Sequence, residues 1–280
     1  MSMMKAALMI VLVGACMQQN PPPQYARQQQ QAQPQQASAT EPVRPDPRPA
    51  AAEPPVRPEP RPAAPPEEPL PIPIDKEMPK ESLTTDTKLV LGTESTVMLD
   101  ARSDVYSATA KKADGPRGGV LPSTITLAAG GGIISFPKVI GKASCVAAEG
   151  TNADGGDCAG GNTDLESLGK LSGIKHHKRT MFLVGVFVGA KLPAKAPAIL
   201  DFSDDAKGTK FAKLEPALGQ VFFIGDGKPG EPAGDTHDFV VPKGATRLYL
   251  GYADGANFQG SPSSYDDNVG GLAVTVLQRK

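Results

Sequence analysis

Between residues 83 and 280 the apolar positions fall in short runs separated by Gly, Pro, Asn and Asp. The runs lie at 88–91, 95–99, 123–127, 132–136, 180–188, 220–224, 238–241, 247–252 and 272–276. They are rich in Val, Ile, Leu, Thr, Phe and Tyr and are bounded by turn formers, the pattern of strands joined by tight connections. No window holds an apolar period of 3.6 residues for three turns, and only residues 165–171 do so weakly. Many short strands at this spacing predict an all-β fold, a sandwich or barrel. Residues 181–188 are apolar at almost every position. A half-exposed strand would alternate, so this one is expected to be covered on both faces.

The first 84 residues follow a different rule. Lys5 precedes an apolar run of about ten residues, too short to cross the roughly 30 Å of a bilayer interior. It ends Val13-Gly14-Ala15-Cys16, which resembles the bacterial lipobox. That resemblance implies a leader at 1–15, lipidation of Cys16, and membrane attachment through several acyl chains. Met17 follows where Asp would retain the protein at the inner membrane, so outer-membrane or cell-surface localisation is expected, with the periplasmic face as the other possibility. An ordinary cleaved secretory signal is the competing reading. Residues 16–84 are dominated by Gln, then by Pro, Ala, Glu and Arg, with too few apolar groups to offset the entropy of ordering. The decapeptide starting at Pro42 returns almost unchanged at Pro55. Proline at nearly every second position favours an extended polyproline spacer. Some 60 residues at about 3.1 Å each would reach on the order of 190 Å. The remaining 85–280 is long enough for one domain.

With Cys16 assigned to lipid, Cys145 and Cys158 remain as a pair in an exported chain, where an oxidising setting favours a disulfide. The formal net charge of −1 gives no basic excess, and no nucleic-acid partner is expected. Ser172-Gly173-Ile174-Lys175 matches the Ser-x-x-Lys of acyl-transferring hydrolases, but the other motifs of that group are missing. His237 between Asp235 and Asp238, and the trio Asp201, Asp204 and Asp205, are further candidate cation ligands; the latter spacing is not that of an EF-hand. His176-His177-Lys178-Arg179 reads as a solvated turn entering the strand at Thr180, with contact to an anionic surface as the alternative.

The stretch 241–276 concentrates the candidate chemistry. Two strands frame a loop of Gly, Ser, Asn, Asp and Pro carrying Asp254, Asp266, Asp267 and Asn268. Oxygen donors alone suit a hard cation such as calcium, and the lack of thiol or imidazole argues against zinc or copper. A solvated hairpin whose Asp, Asn and Gly only make turns is the plain alternative.

The order Tyr252-x-Asp254, Gly-rich loop, Asp267-Asn268-x-Gly270, strand resembles the calcium site of the bacterial galactose-binding lectins of the LecA type. In those lectins an Asp closes one strand, and an Asn-Asn pair precedes a Gly and the next strand; here Asp267 replaces the first Asn. The resemblance implies a jelly-roll-like sandwich of the galactose-binding-domain kind and no catalysis. It implies calcium held by Asp254, Asp267, Asn268 and the carbonyl oxygens of Ser264 and Phe136. A galactose-like sugar would be bound at Asp254, Gly255 and Asp267. Residues 139–180 exceed the compact lectins in length and cover their sugar-contacting loop.

Overall fold

The computed structural model describes residues 86–111, 117–146, 150–230 and 235–280. The expected leader at 1–15, Cys16 and the linker at 16–84 lie outside them. The described chain is all-β. Two five-stranded sheets and one four-stranded sheet are formed from fourteen strands.

The first sheet has the order β1 (Asp86–Lys88), β3 (Ser123–Thr126), β12 (Ala245–Tyr252), β7 (Leu183–Gly189), β10 (Val221–Phe223). The second runs β2 (Glu94–Asp100), β14 (Val269–Arg279), β4 (Ile133–Ser144), β11 (Asp238–Val240), β9 (Lys213–Leu214). Side chains of alternate residues fill the space between them. Leu248, Leu250 and Tyr252 from β12 and Leu272, Val274 and Val276 from β14 are all inaccessible to solvent. The Phe222 ring of β10 meets the Phe239 ring of β11 at 5.1 Å, joining the two layers.

Every residue of β7 is buried, as its uniform apolarity predicts. Gly185 lies opposite Phe222 and turns toward the second sheet, while Val184 lies opposite Phe223 and turns the other way. That outer face is covered by the third sheet, ordered β13 (Gln259–Gly260), β5 (Thr163–Leu165), β6 (Ile174–His176), β8 (Leu200–Asp201). Phe223 packs there on Phe182, His176 and Phe202, with ring centroids 5.3–5.9 Å apart.

Two departures from the sequence reading have clear causes. The run at 132–136 is the start of a 12-residue strand, because β4 pairs along almost all of β14. Pro137 is accommodated where the β14–β4 register shifts between Thr275 and Leu277, a bulge being one of the few places a strand tolerates proline. Gly141, at φ 119°, lies so close to β14 that a Cβ would stand 2.3 Å from the Gly271 carbonyl oxygen. The weak helical period at 165–171 is instead the end of β5 and a turn, closed by reciprocal Leu168 and Leu171 backbone hydrogen bonds.

Cys145, one residue beyond β4, is disulfide-bonded to Cys158, with Cα atoms 6.4 Å apart. The bridge spans 13 positions and ties the 146–157 loop to the end of β4. Constraining such a loop stabilises a fold by about 3 kcal/mol in the chain-entropy treatment. Replacing both cysteines with serine is expected to lower the urea unfolding free energy by about that amount, with the m-value little changed. Denaturation of the oxidised protein and the double variant measures the difference.

Candidate functional site

Asp254 stands two residues beyond the end of β12, and Asn268 immediately before β14, so they belong to different sheets. The structure brings them together at one edge of the sandwich. The Asn268 amide Nδ2 donates to Asp254 Oδ2 at 2.8 Å and to the Ala101 carbonyl at 3.3 Å. The Gly255 N–H donates to Asp254 Oδ1 at 2.6 Å. Both side chains are buried, and Asn268 Oδ1 has no protein hydrogen-bond partner.

Tyr265 holds the loop shut from within. Its hydroxyl donates to the Tyr252 carbonyl at 3.0 Å and accepts the Asp254 N–H at 3.1 Å. Burial, together with the nearby Asp104 charge, raises this phenol far above its ordinary range. The Asp254 carbonyl accepts from Ser263 N–H at 3.0 Å, and Ser263 Oγ lies 3.3 Å from Ser264 Oγ. Ser264, Asn257 and Phe258 all adopt positive φ of 53–65°. Such angles cost energy in non-glycine residues and persist only where surroundings fix them. For Phe258 the fixing is burial, since the residue is 2 % exposed.

The third sheet also shapes this loop. Its Gln259 and Gly260 form β13, paired with Asp164 and Leu165 of β5. Gly255 packs so closely there that a Cβ would lie 2.7 Å from Leu165 Cδ2. β5 thus supplies the strand on which the candidate loop rests.

The other expected ligands are placed unequally. Asp267 is exposed on a 3-10 turn at Tyr265–Asp267, and its charge adds to the proton affinity of Asp254. Asp266 is also exposed and packs its Cβ over Gly118. Phe136 is not part of the constellation. β4 pairs Ser144 with Val269 at the site end, but Ser135 with Leu277 near the far end. Eight residues along a strand at about 3.3 Å each separate Phe136 from Ser144, roughly 26 Å. Its ring packs on Phe239, and its carbonyl faces Gly227. The Ala101 carbonyl is the main-chain oxygen that the structure sets beside Asn268 instead.

A second carboxylate, Asp104, also bears on the site. It is fully buried, accepts from Tyr106 N–H, Ser107 Oγ and Arg117 Nε at 2.5–2.9 Å, and raises the Asp254 proton affinity. Its position follows from the bridge between Asp104 and Tyr252. In sequence its only mark is an acid set between β2 and an aromatic, a common cap to a turn.

Burial is the largest influence on Asp254 and pushes its carboxyl up to about 7; the like charges of Asp267 and Asp104 add, against the Asn268 and Gly255 hydrogen bonds. All donors here are oxygens apart from the Asn268 amide nitrogen. Turning that amide over would set Asn268 Oδ1 beside Asp254 Oδ2 and the Ala101 carbonyl, three oxygens that repel unless a cation lies among them. These three oxygens are the kind a hard dication takes but fewer than the roughly six to eight of a calcium shell, and no group of three or more His, Cys, Asp or Glu gathers among the described residues.

The other candidates resolve into structural roles. Ser172 is buried in the core, donating to the Gly173 carbonyl and accepting from Val221 N–H, while Lys175 pairs with Asp164. Asp201 caps Ser203, and Asp204 pairs with Lys178. His237 is buried against Phe211. Comparison with known protein families, curated proteins and solved structures finds no match to this chain.

The raised Asp254 pKa has a pH signature in metal-free protein. Between the unfolded value near 3.8 and the folded value near 7, the folded state binds the extra proton, so this group's contribution is lost as pH rises through 7. Stability of the wild type relative to Asp254→Asn is expected to rise by about 1.4 kcal/mol as pH falls from about 8.5 to 6.0. Urea titrations in chelator at both pH values measure the gap, from which groups common to both proteins cancel.

Proposed function

We propose that the protein is an exported, lipid-anchored, calcium-dependent carbohydrate-binding module with no catalytic role. The observation carrying this reading is the buried, charge-crowded carboxyl of Asp254 set against the unpartnered Asn268 Oδ1 at the joint of two sheets. Asp254, Asn268, Asp267 and the carbonyl of Ser264 would hold the ion, with the Ala101 carbonyl in the place assigned from sequence to Phe136. The ion supplies open coordination positions for two vicinal hydroxyls of a galactose-like sugar. Asp254 and Asp267 would accept hydrogen bonds from the same hydroxyls, with Gly255 beside them as the third sugar-contacting residue. Cys16 would carry the anchor, and the proline-rich segment would hold the domain away from an outer membrane or cell surface.

A second reading has its own support. Asn268 Nδ2 already bridges Asp254 and Ala101, so the loop is closed by protein donors alone. In that case calcium only stiffens the end of an adhesion or structural domain.

Thermal melting with calcium and with chelator tests the ion site. Calcium at a hundredfold excess over its dissociation constant stabilises by about 2.7 kcal/mol, a rise of roughly 5–11 °C for a domain of this size. Asp254→Asn should shrink that rise well below half, whereas Asp266→Asn, exposed over Gly118, should leave most of it. No calcium shift in the wild type would refute the assignment. A glycan array run with calcium and again with chelator separates the two readings, since only the first expects calcium-dependent sugar binding. The anchor is tested by alkyne fatty-acid labelling, which Cys16→Ser should abolish.

A further inference from the structure

Six rings, Phe211 half-buried and the others buried, form a continuous seam from the outer face of the first sheet to Phe239 of the second. His176 lies 5.5 Å from Phe182, Phe182 lies 5.3 Å from Phe223, and Phe223 lies 5.7 Å from Phe202. Phe202 then meets Phe211 at 5.9 Å, and Phe211 stacks on His237 at 4.1 Å. His176 and His237 are its two imidazoles, and beyond His237 the rings continue to Phe239 at 5.9 Å. Phe202 and Phe211 are the two feet of a loop whose crown, Asp204 to Lys207, is exposed.

Both imidazoles are held alike. His176 Nδ1 lies 2.5 Å from the His177 carbonyl, and His237 Nδ1 lies 2.5 Å from the Phe211 carbonyl. A carbonyl only accepts, so each ring carries its proton on Nδ1. Each Nε2 is then a bare lone pair, and both are buried with no hydrogen-bond partner. Each histidine also anchors a foot of the loop. His177 N–H, next in chain to His176, donates to Ser203 Oγ, and Asp238 N–H, next to His237, donates to the Ala212 carbonyl.

We propose that His176 and His237 form an acid-sensitive latch, in which protonation of Nε2 frees the Phe202–Phe211 loop from the aromatic seam. A proton on Nε2 makes a cation buried among rings, with a new N–H that the closed loop gives no partner at His176 and only the Lys228 backbone to help at His237. The ring relieves this by leaving the seam for water, taking its foot of the loop with it. Carboxylates stand near both rings to receive the cation. Asp201 and Asp204 act on His176, with Arg179 opposing, and Asp226 and Asp154 act on His237. Burial is the largest influence on both and lowers their proton affinity; the His177 carbonyl at His176, and the Phe211 carbonyl and Lys228 backbone at His237, work against it.

The sign follows from linkage. The folded pKa lies below the unfolded one, so closure of the latch is favoured above about 6.5 and weakens as pH falls below that value. The Asp254 carboxyl acts in the opposite sense and is common to wild type and variants, so it cancels.

The test is hydrogen exchange of the full chain across residues 202–211 and 235–240, corrected for the intrinsic pH dependence of exchange. Between pH 8 and pH 5.0 the opening equilibrium should grow, with a ceiling of about thirtyfold for each imidazole released. His176→Asn and His237→Asn each keep an N–H near the Nδ1 position but do not titrate. Each single variant should lose its share of the slope, and the double variant should be flat. A double variant with the wild-type slope, or a wild type with none, overturns the latch. Slope is read rather than stability, so a weakened variant still answers. Should the variants not fold, the ring resonances of the wild type decide. Rings that stay neutral until the loop loses protection support the latch, and rings that titrate while protection is unchanged overturn it.

Discussion

A strand that is apolar on both faces needs two covers, and β7 imposes that requirement on the whole domain. The second sheet meets one face, and the small third sheet together with the turn at Val105–Ser107 meets the other. The third layer has strands of only two or three residues, which could not stand alone in water. What holds it is the contact of Phe182, His176 and Phe202 with Phe223, on the face that β7 and β10 turn outward. One of its strands, β13, is drawn from the loop between β12 and β14. The shape of the candidate site thus traces back to the covering of β7.

How much of this was legible in the sequence depends on the length scale of each feature. The long strands announced themselves, because alternation in β12 and uniform apolarity in β7 are local signals. The third sheet did not, because strands of two residues have no period to detect. Leu165, Leu168 and Leu171 mimicked a helical stripe, yet they are apolar for two unlike reasons: Leu165 packs against the candidate loop, while Leu168 and Leu171 close a turn. Pairing register was equally invisible. Phe136 follows an apolar run, as the resembled site requires, but only its partner across β14 reveals that it stands at the wrong end of the sheet. Asp104 and Ala101 reach the site through the chain that follows β2, far off in sequence. The neighbours Asp254, Asp267 and Asn268 were legible because one short loop carries all three.

The site is stabilised by its surroundings and is itself under tension. A carboxyl buried without a full counter-charge works against folding, and positive φ at Asn257, Phe258 and Ser264 adds local strain. Against this stand the Tyr265 hydroxyl, which ties Asp254 to Tyr252, and the β13–β5 pairing. Interiors can carry such a cost where the rest of the fold fixes the geometry, and they do so most often at sites that act on a ligand. Asn268 sits at the balance point, since one face of its amide completes the closed loop and the other offers an oxygen with nothing to hold.

The placement of β1 has a mechanical consequence. It is an edge strand of three residues, held by Leu89 and a short parallel ladder to β3, and it receives the chain that precedes the domain. β2, by contrast, is paired to β14 through seven residues. A pull on the chain ahead of Asp86 therefore loads β1 first. Its release up to the start of β2 frees about eight residues, or roughly 27 Å of contour at about 3.4 Å each. The two strands that carry Asp254 and Asn268 keep their partners throughout. β1 can thus act as a sacrificial slip-link, lengthening the chain ahead of the domain under load while the loop between β12 and β14 keeps its shape.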